Sequence, residues 1–166
     1  MIEEIIRKAK RLTRQCDTYD PFRIACDLGI DIQYKDLGRL KGMYTIMKRN
    51  RFIVLNINSD EYTQKLVCAH ELGHDQFHRE LAVDSCLQEF IIYNMNTRPE
   101  YEANIFAAEL LLPDEQILDL IDMGYDSEQI ARKMYADVNL VGIKISTLIR
   151  KGYNFRPLEF NENFFK

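Results

Sequence analysis

All three histidines of this 166-residue chain fall between positions 70 and 78, as His70, His74 and His78. No other feature of the sequence constrains the molecule as strongly. His70-Glu71-Leu72-Gly73-His74 fits the pattern H-E-x-x-H. On a helix, residues four apart differ by about 40° in direction and about 6 Å along the axis, so both imidazoles can face one ion. Leu66, Val67, His70, His74 and Phe77 recur every three or four positions, which predicts a helix over about 60–78 capped by Ser59 or Asp60. Neutral imidazole nitrogen suits Zn²⁺. Glu71 lies one step round the helix, offset from the pair. There it can act as a base on water that zinc acidifies to a pKa of about 7, and later protonate the leaving amine.

Zinc needs a further protein ligand. His78 continues the series, but on an unbroken helix it lies about 12 Å along the axis from His70. Ligands of one zinc sit within about 4 Å of each other. No glycine follows His74 to break the helix, so His78 reads as a helix-end or rim residue. The next helix, from about Pro99 to Pro113, carries Glu100, Glu102 and Glu109. Glu102 and Glu109, seven apart, share a face. That face is flanked by Ile105, Phe106 and Leu110. A carboxylate there is either a ligand, which offsets its desolvation, or solvated. Gly73, inside a helix, costs about 1 kcal/mol relative to Ala. It either admits a second helix closely or relieves crowding. Asp75, Asp84 and Glu109 are candidates for holding the imidazole N–H groups.

The rest of the chain reads as α+β. Ile2, Ile5, Ile6, Ala9 and Leu12 mark a helix over 2–16. Asp20-Pro21 opens a short helix that Gly29 closes. Strand-like runs follow at 30–34, Met43–Met47 and Phe52–Ile57, the last two joined as a hairpin through polar residues 48–51. A short strand is expected at Phe90–Tyr93. Further helices are expected from Pro113 to Gly124, over 127–136, and from Asn139 to Lys151. The organisation expected is a core over 1–113, a helical C-terminal subdomain over 114–152 and a tail over 153–166.

Composition excludes other classes. Lys plus Arg is 22 and Asp plus Glu is 26, a net charge of −4, which weighs against tight non-specific binding of nucleic acid. No apolar run approaches the ~18 residues of a membrane span. The N-terminal segment has no apolar secretion core, so a cytoplasmic location is expected, with the four cysteines reduced.

The segments Cys68-Ala-His-Glu-Leu-Gly-His and Glu102-Ala-Asn-Ile-Phe-Ala-Ala-Glu-Leu-Leu-Leu-Pro113 resemble the paired signatures of the ImmA/IrrE family of zinc metallopeptidases. Asp20-Pro-Phe-Arg-Ile-Ala with Leu-Gly-Ile, and Phe52-Ile-Val-Leu-Asn-Ile-Asn, also fit. The resemblance covers about residues 20–113, more loosely to 152. Leu112 stands where the family often has Met. The resemblance implies a zincin-like (gluzincin) core with a small β-sheet, an active-site helix carrying H-E-x-x-H and a C-terminal helical appendage. It implies His70, His74 and Glu102 as ligands of Zn²⁺ and Glu71 as the base. It further implies an endopeptidase that cleaves a helix-turn-helix repressor and derepresses genes of a mobile element or prophage.

Such a protease needs restraint, so an activator protein is an expected partner. In folds of this kind a substrate strand adds to a sheet edge, expected here at 43–57. Tyr93, Tyr101 and His78 are candidate oxyanion donors. The competing reading is a zinc-containing regulator that binds DNA or a repressor without turnover. It rests on a faint helix-turn-helix pattern over 126–152, where five basic residues face three acidic ones, a net of +2. That excess is slight for a groove reader, and packing on the core or gripping the substrate is the preferred role.

Overall fold

Local signals set most of the helix ends. The structure, a computed structural model, describes residues 1–82 and 97–155 and the backbone of 87–88. Helix α1 (Ile2–Cys16) buries Ile5, Ile6, Ala9 and Leu12, the predicted stripe. Asp20 caps α2 (Pro21–Asp27) by accepting from the Phe22 N–H, with Pro21 in the first turn. Gly29 follows at φ 70°, left-handed backbone that glycine adopts without strain.

Strands β1 (Asp31–Lys35), β2 (Gly42–Met47), β3 (Asn50–Asn56) and β4 (Leu87–Gln88) form one sheet in the order β1-β3-β2-β4. β3 runs parallel to β1 and antiparallel to β2. The hairpin is tighter than predicted. Met47 pairs with Asn50, so the turn is Lys48-Arg49 alone, both at positive φ, as two-residue hairpins require. β3 is interior, so of the predicted hairpin only β2 lies toward an edge. There it pairs with β4 at Met43 and Tyr44. The strand predicted at Phe90–Tyr93 lies outside the described residues, as do Asp84, Cys86 and Tyr93.

Asp60, not Ser59, caps α3 (Glu61–Phe77). A single 3-10 turn, Arg79–Leu81, follows it. Helices α4 (Arg98–Leu111), α5 (Asp114–Asp122), α6 (Ser127–Lys133) and α7 (Val138–Arg150) complete the elements among the described residues. Asp126 and Gln129 close a reciprocal capping box on α6. One hydrophobic cluster runs from Ile5 on α1 to Leu148 on α7, so the helices beyond Pro113 share the core's apolar interior. No helix among the described residues is long and apolar enough to cross a membrane.

Two charge clusters fix helices around that interior. Buried Asp75 on α3 accepts from Tyr44 Oη at 2.7 Å and pairs with Arg51 at 3.0 Å and Arg79 at 2.9 Å. β2, β3 and the 3-10 turn are thereby tied to one side of α3. In the second cluster, Lys144 of α7 is 0% exposed and lies 3.1 Å from Glu109 and 2.5 Å from Asp114. Lys151 reaches the same two acids, and Lys10 of α1 meets Asp114. Two of the five basic residues counted toward a DNA-reading segment are therefore consumed inside the protein.

Burial opposes ionisation of Asp114, but Lys10, Lys144 and Lys151 more than offset it and hold its carboxyl well below the usual range. A depressed carboxyl contributes stability above its ordinary pKa and loses it as pH falls through the folded value. Asp114→Asn is therefore expected to lower stability at pH 7 by about 2–3 kcal/mol. The loss stays under the 3–5 kcal/mol of a fully broken buried pair because Glu109 remains on Lys144. Urea titrations should show the gap to the parent chain closing as pH falls below about 4.

Candidate metal centre

The last two turns of α3 bury His70, Glu71 and His74. What faces them is decided at Gly73. A Cβ built there would meet Ala103 Cα of α4 at 3.0 Å and its Cβ and carbonyl oxygen at 3.3 Å. The absent side chain lets α4 lie against α3, which is the close-approach reading of Gly73.

That approach lays the Glu100 carboxylate across the histidine pair. Its Oε2 is 3.1 Å from His70 Nε2 and its Oε1 3.3 Å from His74 Nε2. The two Nε2 atoms are 3.0 Å apart. Asn104 Oδ1, one turn after Glu100, accepts from His70 Nδ1 at 2.9 Å, which directs the ring proton outward and leaves Nε2 to the interior. Acceptor atoms this close are held by a shared cation, a proton in its simplest form and a metal where a third donor completes the set. Bonds of 2.0–2.1 Å at tetrahedral angles put ligand atoms about 3.3 Å apart. Three separations of 3.0, 3.1 and 3.3 Å match that spacing. Among the described residues, His70, His74 and Glu100 are the group able to hold a metal ion.

The electrostatics suit that use. Burial lowers the His74 imidazole; the Glu100 carboxylate against it opposes the effect without cancelling it, and His70 beside it adds to the lowering. Burial raises the Glu100 carboxyl, but the two rings against it outweigh this and hold it at about 2. Two imidazoles and one carboxylate are a donor set that zinc takes. Glu71, 2% exposed, has its carboxyl pushed well up by burial and then by the charge of Glu100. Its Oε2 is buried without a hydrogen-bond partner among the described residues. A carboxylate oxygen left so is costly unless a cation or a substrate proton answers it. The residues present therefore fit a bound divalent metal.

Glu102, the expected third ligand, is not in this group. Its carboxylate lies on His78 Nε2 at 3.1 Å and on Arg98 Nε at 2.8 Å. The two acids are two steps of about 100° apart on α4 and so point to different sides. Glu109 faces α7, where Thr147 donates to it, and Asp75 faces the sheet, so neither holds an imidazole. His78 is no rim residue: it is 5% exposed and packs on His74. With its ring nitrogens on His74 and Glu102, it is not placed as an oxyanion donor. Tyr101 is half-buried against the core. The reading from sequence missed Asn104 and passed over Glu100. The signal for both was their spacing of four beside Ala103, which puts all three on the stripe that meets Gly73.

The profile of the IrrE N-terminal-like domain, Peptidase_M78, matches residues 25–146. The chain belongs to the Peptidase_M78 family. One relative is "Uncharacterized immunity region protein 2" of Bacillus phage phi105, 37% identical over 106 residues, 63% of this chain and 66% of the relative. Another is "Metallopeptidase ImmA" of Bacillus subtilis (strain 168), 32% identical over 113 residues, 64% of this chain and 63% of the relative. The matches thus span just under two thirds of the length of each. The Peptidase_M78 match takes in α3 and α4 whole, and so every residue of the candidate centre.

Gly73→Ala tests the close approach. Alanine gains about 1 kcal/mol in helix propensity. Overpacking against the Ala103 backbone, which cannot swing aside, costs about 1–3 kcal/mol. The expected net result is a lower thermal midpoint, read by circular dichroism, where a glycine needed only for local crowding would give a higher one.

Proposed function

We propose that this chain is a zinc endopeptidase of the Peptidase_M78 family that cuts a protein substrate at a defined site. The observation that supports it is the convergence of His70, His74 and Glu100, with buried Glu71 and its unpartnered oxygen alongside. His70 and His74 through Nε2, and Glu100 through its carboxylate, would hold the ion. The third ligand in this proposal is Glu100 and no longer Glu102. When bound, Zn²⁺ supplies Lewis acidity, polarising a scissile carbonyl and lowering the pKa of water to about 7. Glu71 takes a proton from the attacking water on its carboxylate and gives it to the nitrogen of the departing amine. The apolar walls of α3 and α4 exclude bulk water, so that this transfer is made within the site.

The substrate we propose is a helix-turn-helix repressor, whose cleavage would derepress genes of a mobile element or prophage. The relatives' names, a metallopeptidase and a phage immunity-region protein, support that setting. Low basal activity would restrain the protease until an activator partner relieves it. Location in the cytoplasm follows from such a substrate. The internal pairing of Lys144 and Lys151 favours this reading over a DNA-binding regulator.

Metal analysis joined to mass spectrometry of the products tests it, using a repressor encoded beside this chain as substrate. The chain is expected to hold one zinc and make one cut. Glu71→Gln should keep its zinc and lose about 10²–10⁴-fold in rate. Glu100→Gln should lose zinc itself, by more than the roughly 10–100-fold typical of an outer partner. A folded, zinc-loaded Glu71→Gln that cuts at the parent rate would sink the proposal.

A further inference from the structure

His78 and Glu102 belong neither to the donor set nor to the base, yet both are 5% exposed and stand end to end behind His74. Glu102 Oε1 accepts from Arg98 Nε at 2.8 Å, and its Oε2 lies 3.1 Å from His78 Nε2. A carboxylate paired with a guanidinium only accepts, so the proton on this contact belongs to His78 Nε2. A neutral imidazole carries one N–H, which leaves a lone pair on His78 Nδ1. That lone pair faces His74 Nδ1 at 3.2 Å, so His74 donates from Nδ1. The lone pair of His74 is then on Nε2, the atom 3.0 Å from His70 Nε2 and 3.3 Å from Glu100. Each step fixes the next, from exposed Arg98 and the buried carboxylate it pairs with to the atom that faces the ion.

We propose that His78, oriented by Glu102 and Arg98, is a positioning residue that sets the proton of His74 on Nδ1 and so commits its Nε2 to the metal. Asn104 does the same for His70 with a single amide, which makes the two ligands alike in outcome and unlike in means. A helix-ending role does not account for the ring. The cap of α3 is made by the His78 backbone N–H on the His74 carbonyl, which any residue but proline supplies. Nor does apolar packing account for it, since both ring nitrogens have polar partners. The inference rests on His74 being a metal ligand.

The test uses the full chain and zinc alone. Long-range ¹⁵N–¹H NMR of the zinc-loaded chain should place the His78 proton on Nε2 and the His74 proton on Nδ1. Chelator competition should show zinc bound about 10–100-fold more weakly by His78→Phe, as for lost outer partners elsewhere. His78→Asn places its Oδ1 near the lost Nδ1 and should recover most of the affinity. A folded His78→Phe with parental affinity, or a His78 proton found on Nδ1, overturns the inference while leaving the zinc site standing. If circular dichroism shows His78→Phe unfolded, the NMR assignment and the Asn variant decide. His78→Asn folded but binding zinc more than 100-fold more weakly than the parent also overturns it. A parent chain that binds no zinc overturns the proposed function and this inference together.

Discussion

The site depends on one close contact between two helices. Gly73 presents bare backbone to Ala103, and the 3.0 Å separation from a notional Cβ shows how little room either residue leaves. Both distances from Glu100 to His70 and His74 follow from that separation, because the histidines stand on one helix and the acid on the other. A side chain at 73 would push α4 outward, and a long side chain at 103 would do the same. The glycine's local cost of about 1 kcal/mol is small against what the contact assembles.

The two buried charge clusters serve that contact from outside it. Asp75, one residue past His74, is gripped by Tyr44, Arg51 and Arg79, so α3 can neither roll nor slide against the sheet. Glu109, on α4, is gripped from α7 by Lys144, Lys151 and Thr147. Each helix of the site is thus held on its far side by a charged anchor and on its near side by close packing. Sites built on such supported helices hold their geometry better than sites on loops. The anchors also give the C-terminal helices a structural task. Two of their basic residues, Lys144 and Lys151, point inward to acids and are not free to track a polyanion.

Much of this was legible in the sequence, and the limits have physical causes. Helices with strong caps or apolar stripes, such as α1, α2, α3 and α7, stand within a residue or two of their predicted ends, because the signals are local. The hairpin was legible too, but not its turn. Lys48-Arg49 lacks the Asn or Gly that marks a positive-φ pair, and the strand pairing holds them there nonetheless. The parallel pairing of β1 with β3 and the short strand β4 were not legible, since both depend on residues distant in sequence. Asp75 and Glu109 were read as possible supports for the imidazoles because they are acids near the motif. Their partners, Arg51 and Lys144, lie 24 and 35 positions away, beyond the reach of any local pattern.

The assignment of the third ligand shows what such a reading needs. Glu100 and Glu102 are separated by one residue, and a helix sends such a pair to different sides. One acid can therefore face the histidines while the other faces away, and the spacing alone is silent on which. Pairing Glu102 with Glu109 by their seven-residue interval found a real face of α4, but one whose ends meet His78 and α7. The deciding signal is steric. A glycine within H-E-x-x-H demands a small residue opposite, and α4 offers Ala103, with Glu100 and Asn104 on the same stripe. Read from the contact outward, the helix turns Glu100 to the histidine pair, Asn104 to the back of His70 and Glu102 to the ring behind His74. Small residues fix which faces of two helices can meet, and only then does the chemistry of the polar residues on those faces acquire an address.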